Sequence, residues 1–275
     1  PVGVAWVVNS YKKKGKALGI NGIFGGVGIG SGAFIAGTLV NLFGWKSAFI
    51  VPGILSILIS VILFTLIQFK LLSFKNVSSE FLDENHSSTQ LILVAIILLI
   101  AMFGLGLTFQ IIQTTLPKLL DLRIDNITTY KIGVVVALIY GMSGLMSLIG
   151  GILADKFSLK KIYVIGLLGQ VPCLFFIASL TGIPLIIVCL MAVLFNSSIL
   201  PAENILLAKF TPEKHHGLIY GVKFIVAFGA GPIAVILIAK VYEFTSEFSV
   251  LFFLSSLIMF LIAILALFLP VKNNN

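Results

Sequence analysis

Gly151-Ile152-Leu153-Ala154-Asp155-Lys156-Phe157-Ser158-Leu159-Lys160-Lys161 is a short charged hinge between two apolar runs, each long enough to cross a bilayer. Asp155 falls at the end of one run, where a helix presents its negative dipole end, so it needs a positive partner from elsewhere in the chain. Lysines next to a membrane mark its cytoplasmic side. Composition points the same way, with 59% hydrophobic and 10% charged residues. A soluble chain is about 45–50% apolar and about 25% charged, so the solvent of this one is largely lipid. The formal charge of +8 is carried by lysines in short loops and not on one basic face, which argues against nucleic acid as a partner. Cys173 and Cys189 lie inside apolar runs and read as small buried hydrophobes.

Outward from the hinge, eight apolar stretches have the roughly 20 residues a spanning helix needs. They run over about 17–40, 46–69, 90–116, 132–154, 160–180, 184–208, 217–240 and 248–269. Pro1–Val8 is too short to span and reads as a helix remnant. Pro1 opens in mid-pattern with no initiating methionine, so the chain is expected to be the later part of a longer one. The fold class is therefore all-α: a polytopic membrane protein of eight full transmembrane helices plus the remnant. Twelve of the eighteen Lys and Arg residues fall on one side: Lys12, Lys13, Lys14, Lys16, Lys70, Lys75, Lys156, Lys160, Lys161, Lys209, Lys214 and Lys272. That bias predicts a cytoplasmic first loop and a cytoplasmic C-terminus. The expected location is the plasma membrane, the inner membrane in a bacterium. Phe69–Thr89, the longest polar segment, reads as a flexible linker.

The first and seventh spans echo each other. Gly15-x-x-x-Gly19 recurs as Gly217-x-x-x-Gly221, and Gly30-Ser31-Gly32-Ala33 as Gly229-Ala230-Gly231-Pro232. Similar helices six spans apart suggest two related halves. In the first span Gly19, Gly22, Gly26, Gly30 and Gly37 gather on one face and Gly25, Gly28 and Gly32 on another, at about 100° per residue. Small residues let helices approach closely in lipid, so this span is expected to pack tightly on two sides.

Polar residues inside spans are costly in lipid and usually face a bundle interior or a watery cavity. Gly106, Gln110, Gln113, Thr114 and Pro117 share one face of the third span. Asn196 and Glu203 share a face of the sixth, with Pro201 between them. Helix-to-helix hydrogen bonding and a solute site are both open readings of these stripes. Lys223 is the one basic residue well inside a span, on a face with Ala227, Ala230, Gly231 and Ala234; Ile225, Phe228, Pro232 and Ile236 take the opposite face. Glu203, an anionic solute, or snorkelling to the interface could each offset its charge. The three histidines, His86, His215 and His216, read as loop residues, and no nucleophile, base or metal-ligand constellation is visible. No enzyme, cofactor or metal is expected.

The hinge resembles, position for position, the signature loop Gly-x-Leu-x-Asp-Arg/Lys-x-Gly-x-Arg/Lys-Arg/Lys of the major facilitator superfamily, with Ser158 where that family usually has glycine. The resemblance implies a twelve-helix fold of two bundles. On it, residues 1–69 are the remnant of the N-terminal bundle, 70–89 a cytoplasmic linker, and 90–275 the C-terminal six-helix bundle. It further implies a secondary carrier, a monomer in the lipid bilayer, moving a small solute by alternating access and drawing on an ion gradient, with H+ the expected coupling ion. Gly151, Asp155, Lys156, Lys160 and Lys161 would then form a conformational gate, with Asp155 held near Ala17–Gly19. Gln110, Gln113, Thr114, Asn196, Glu203 and Lys223 would bind the solute, and Gly19, Gly28, Gly32, Gly37, Gly229, Gly231 and Pro232 would serve helix packing. Gly19, Gly28, Gly32-Ala33 and Ala36-Gly37 also resemble the glycine-rich motif of the superfamily's proton-coupled antiporters, with Ala33 for its proline and Ala36 for a glycine. A lysine on the eleventh helix resembles some carboxylate carriers, which implies organic anions. A multidrug-type antiporter and a non-transporting receptor or assembly factor on the same fold are the alternatives.

Overall fold

The computed structural model describes residues 2–71 and 88–270. They form nine α-helices: α1 (Val2–Ser10), α2 (Lys14–Phe43), α3 (Ser47–Gln68), α4 (Ser88–Arg123), α5 (Thr129–Lys156), α6 (Leu159–Ile177), α7 (Gly182–Lys209), α8 (His216–Thr245) and α9 (Ser249–Ala266), with one 3-10 turn at Glu213–His215 before α8. Among the described residues there is no strand. Eight helices, α2 to α9, are long and apolar enough to cross a membrane, as the sequence predicts. A helix satisfies its own backbone groups, which lipid cannot do, so a chain of this composition has few other choices. Most of the proposed linker, with Lys75 and His86, lies outside the described residues, as does Lys272.

Helices α4 to α9 close round a common core that includes Leu98, Met102, Leu120, Leu167, Leu174, Val193, Phe252 and Met259, each at most 1% exposed. Glycines set how closely these helices approach. A Cβ on Gly150 of α5 would strike the backbone of Ser198 on α7, and one on Gly106 of α4 would meet the carbonyl of Ala227 on α8 at 2.5 Å. Lipid is as apolar as leucine, so close van der Waals packing of this kind, and not exclusion from water, drives helix association here. By contrast α3 buries no residue and, among the described residues, leans chiefly on α2. It is apolar all round, as a lipid-facing helix should be.

Two polar ties hold the ends of the bundle. At one end Arg123, the last residue of α4, donates to the carbonyls of Ile177 (2.6 Å), the last residue of α6, and Leu180 (3.3 Å) just beyond it, to Ser249 Oγ (2.9 Å) and to both carboxylate oxygens of Glu247. Its side chain is only 6% exposed, so most of its donors are satisfied by protein. The hydrogen bonds from Arg123 hold the Glu247 carboxyl below the usual carboxylate range, against a smaller opposing effect of burial. At the lysine-rich end Lys160 Nζ donates to the carbonyls of Leu267 and Leu269, each at 2.6 Å, and so satisfies acceptors that α9 leaves free at its C-terminus.

The α2–α5 seam runs between the first helices and this bundle. Gly15, Gly19, Gly22, Gly26 and Gly30 face Gly151, Leu148, Ser147, Gly144 and Ala137 in turn. The expected second tight face of α2 is not present among the described residues. A Cβ on Gly25, Gly28 or Gly32 would meet nothing within 4 Å, because α5 reaches only one side of the helix. Gly37 lies on α2, but its surroundings are outside the described residues. The repeat partners on α8 behave differently too: Gly217, Gly221 and Gly229 stand in open space, and Pro232 is exposed. Only Gly231 packs, against the Gln110 amide 2.7 Å from where its Cβ would be.

Candidate functional site

Of the residues expected to form a gate, Gly151 and Asp155 meet α2 where the hinge reaches it. Asp155 Oδ1 accepts from the backbone N–H of Gly15 at 2.7 Å, and Oδ2 from that of Lys16 at 2.8 Å. The sequence placed this contact near Ala17–Gly19. It falls slightly earlier, within the same turn, because α2 begins at Lys14, which puts its unpaired N–H groups and positive dipole end at Gly15 and Lys16. Gly151 makes the approach possible, since its Cα packs on the backbone of Gly15 with no room for a Cβ on either. Lys156 and Lys161 are exposed beside it, whereas Lys160 is turned to α9. Removing the charge but not the shape, Asp155→Asn should shift the equilibrium between closed and open ends about fivefold to tenfold, the scale of one charge-assisted hydrogen bond. Transport by the full-length protein should fall with it at unchanged expression, and wild-type transport would leave the loop without a gating role.

Above that closure lies a cavity of about 270 Å³. Its walls come from Val4 of α1, Leu18, Asn21 and Gly22 of α2, Met102, Leu105, Gly106, Phe109 and Gln110 of α4, Ser147 of α5, Asn196, Leu200, Pro201, Glu203 and Asn204 of α7, and Lys223, Phe224, Ala227 and Phe228 of α8. Helices on both sides of the α2–α5 seam contribute. Gln110, Asn196, Glu203 and Lys223 thus converge from three helices, as a shared polar face requires.

Gln113 and Thr114 do not line the cavity. They share the face of Gln110 but lie a turn farther along α4, roughly 5 Å beyond the last lining residue; Gln113 is half-buried and Thr114 exposed. Phe228, assigned to the bulky outer face of α8, instead edges the cavity one turn above Phe224, and the two rings stack at 5.6 Å.

Glu203 and Lys223 form an ion pair, Nζ to Oε1 at 2.5 Å, with side chains 2% and 8% exposed. Lys223 does not snorkel. It also donates to Asn204 Oδ1 at 2.6 Å, while Tyr163 OH on α6 donates to Glu203 Oε2 at 3.2 Å. Tyr220, one turn before Lys223 on α8, donates to the Asn204 carbonyl at 2.7 Å and steadies that segment of α7. Asn196 reaches away from the pair, its Nδ2 3.4 Å from Gln170 Oε1. Asn204, Tyr163 and Tyr220 escaped the sequence reading. Asn204 adjoins Glu203, and nothing in its spacing says that it turns toward α8, while the tyrosines look like ordinary interfacial residues until their helices are packed.

His216 also differs from its expected loop position. It is the first residue of α8, 1% exposed, with Nδ1 2.9 Å from Asn9 Oδ1 and Nε2 within 3.1 Å of the Ala208 and Thr211 carbonyls. The ring is thus held between Asn9 of α1, the end of α7 and the connection that follows it.

The fold is similar to that of the outward conformation of FucP, a major facilitator superfamily transporter. The TM-score is 0.65 at 15% identity, over 86% of this chain and 58% of that one. A variant of the E. coli fucose:proton symporter FucP gives the same TM-score at 14% identity, over 86% and 59%. The chain therefore spans less than two thirds of the length of these relatives. No curated protein sequence matches it significantly. The model of the Major Facilitator Superfamily, however, matches residues 1–144 and again residues 98–275, so that every part of the sequence is covered. This integral membrane chain, with its α2–α5 seam clasped by Asp155 and a cavity beside it, belongs to the Major Facilitator Superfamily.

Proposed function

We propose that this chain is the working part of a secondary carrier that moves a small solute through the cavity by alternating access, driven by a proton gradient. The observation that carries the reading is the Glu203–Lys223 pair, buried in a cavity wall to which helices on both sides of the seam contribute. A purely structural pair has no need of a cavity beside it, and burying two charges in a membrane costs free energy that a carrier can use when one of them takes a proton. The similar FucP structure is that of a fucose:proton symporter, which supports the proton as coupling ion. The basic side group on α8 supports an organic anion as solute. Residues 1–69 and 90–275 are the two bodies that would move against each other, and the working unit is a monomer.

Two experiments test this. In vesicles containing the full-length protein, Glu203→Gln should abolish solute accumulation driven by an imposed pH gradient, while exchange of solute at equal concentrations continues. Loss of both would make Glu203 a structural residue, and accumulation only against the opposite gradient would make the carrier a proton antiporter. If no member of a broad solute panel moves, the chain is a receptor or assembly factor. For orientation, reporter fusions after Lys70 and Leu269 should read cytoplasmic and one after Arg123 external; a cytoplasmic reading at Arg123 would overturn the topology.

A further inference from the structure

We infer that Asn196 meets the solute as a hydrogen-bond donor, and that Gln170, which does not line the cavity, is the positioning residue that makes it one. The inference rests on the carrier reading and names a group the solute must carry. That group is a hydrogen-bond acceptor, such as a ketone or ether oxygen, at the Asn196 end of the cavity.

Gln170 of α6 is 0% exposed, and its Nε2 has no partner. Its Oε1 accepts from Asn196 Nδ2 at 3.4 Å, which is long for a bond of this kind. Asn196 of α7 is a cavity-wall residue, 3% exposed. Its Oδ1 has no hydrogen bond among the described residues, yet it is not sealed in protein as Gln170 Nε2 is, so the cavity is what it meets. Glycines hold the two amides together. A Cβ on Gly166 or Gly169, just ahead of Gln170, would strike Ile199 or Phe195 of α7, and neither helix can draw back without losing that contact.

Two amides that share one hydrogen bond can share it in two ways. In the arrangement seen, Asn196 donates and shows the cavity a carbonyl oxygen, while both N–H donors of Gln170 stay dry. A half-turn of both amides exchanges O and N within the same outline. Gln170 Nε2 then donates to Asn196 Oδ1, and the Asn196 amide turns its N–H groups to the cavity. One dry N–H of Gln170 is thereby replaced by an unpaired oxygen, which a protein interior tolerates better than an orphaned donor. An acceptor on the solute completes this arrangement by taking an N–H of Asn196. A donor at the same place would instead require the arrangement that leaves Gln170 with two dry N–H groups. The preference is set away from the charged pair, since two turns of α7, roughly 10 Å, separate Asn196 from Glu203.

The test is calorimetric binding of isosteric solute pairs to the purified full-length protein: 5-oxohexanoate beside 5-methylhexanoate, and 5-oxohexanamide beside 5-methylhexanamide. In each pair an acceptor oxygen takes the place of a methyl group of similar size. Expected is about fivefold tighter binding of the oxo member in at least one pair, the scale of one hydrogen bond. Asn196→Leu should abolish that preference. Gln170→Met keeps the length of the side chain and removes the orphaned donors, so the fold is spared; it should cut the preference to about twofold while affinity for the methyl member holds. Added to Asn196→Leu, it should change the ratio no further, because Gln170 acts through Asn196. Equal binding of the two members by the wild type, a preference that survives Asn196→Leu, or a ratio unmoved by Gln170→Met would overturn the inference. If neither pair binds, the inference falls too, and the carrier reading then stands or falls on whether the broad solute panel finds anything moved.

Discussion

Lys223→Ala is expected to destabilise the full-length protein by about 3–5 kcal/mol, the range for removing one partner of a buried ion pair. The substitution leaves Glu203, 2% exposed, as an uncompensated charge whose other hydrogen bond among the described residues comes from Tyr163. Asn204 loses its partner as well. The double variant Glu203→Gln/Lys223→Ala should recover most of that loss, because a pair replaced by neutral groups costs far less than a pair broken. The asymmetry is the signature of mutual burial, since two residues that do not interact give losses that simply add. Thermal inactivation in detergent of the wild type, both single variants and the double variant measures the coupling. Additive losses would show that the two charges are not offsetting each other, and would remove the ground for a coupling site at Glu203.

The second large effect is expected at the α2–α5 seam. In Gly19→Leu, the new Cβ alone would lie 2.7 Å from Leu148 Cα and 2.9 Å from the Ser147 carbonyl, both of them backbone that cannot swing aside. Overpacking of this kind costs about 1–3 kcal/mol, and the closed seam bears the whole of it. The population with the lysine-rich end shut should drop about tenfold to a hundredfold in favour of one with that end open. A cysteine in place of Asn21, in the cavity wall, should then react faster with a membrane-impermeant maleimide applied to the lysine-rich face. Gly133→Leu is the control, on the same α5 but at an exposed position where a Cβ meets nothing within 4 Å. Equal labelling in the two variants would mean that the seam does not open during the cycle.

The two effects differ in kind. Breaking the ion pair weakens the bundle in every conformation that keeps α7 and α8 together, whereas a bulky residue on the seam penalises only the conformation in which α2 and α5 touch. Comparing stability with accessibility therefore separates a structural fault from a shift between states. The Asp155 clasp belongs with the seam, because its two hydrogen bonds cross from α5 to α2 and can be made only when that end is shut.

By itself the sequence determined the helices, their number among the described residues and their membrane environment, because length and apolar content are local quantities that lipid enforces on each segment separately. It also determined that Asp155 needs a positive partner from elsewhere in the chain, because a carboxylate at a helix C-terminus is badly placed without one; that the start of α2 supplies it was implied only by the family resemblance. The same logic marked Glu203 and Lys223, whose cost in lipid is a property of each residue alone. Only the tertiary structure decided the rest. Whether Lys223 snorkelled, paired or stood free turned on the rotation of α8 against α7, which no periodicity within either helix contains. Gln113 and Thr114 have the right face but the wrong depth, and depth depends on where neighbouring helices cross. Gly28 and Gly32, on their own face, carried the same packing expectation as Gly19 until α5 was seen to cover one side of α2 only. Arg123, which on sequence is one more charge at a helix end, became a buried tie between three helix ends once the turn carrying Glu247 folded onto it. A single helix carries its own spacing and polarity, but which of its faces meets a partner, and at what height, is settled by the other helices packed around it.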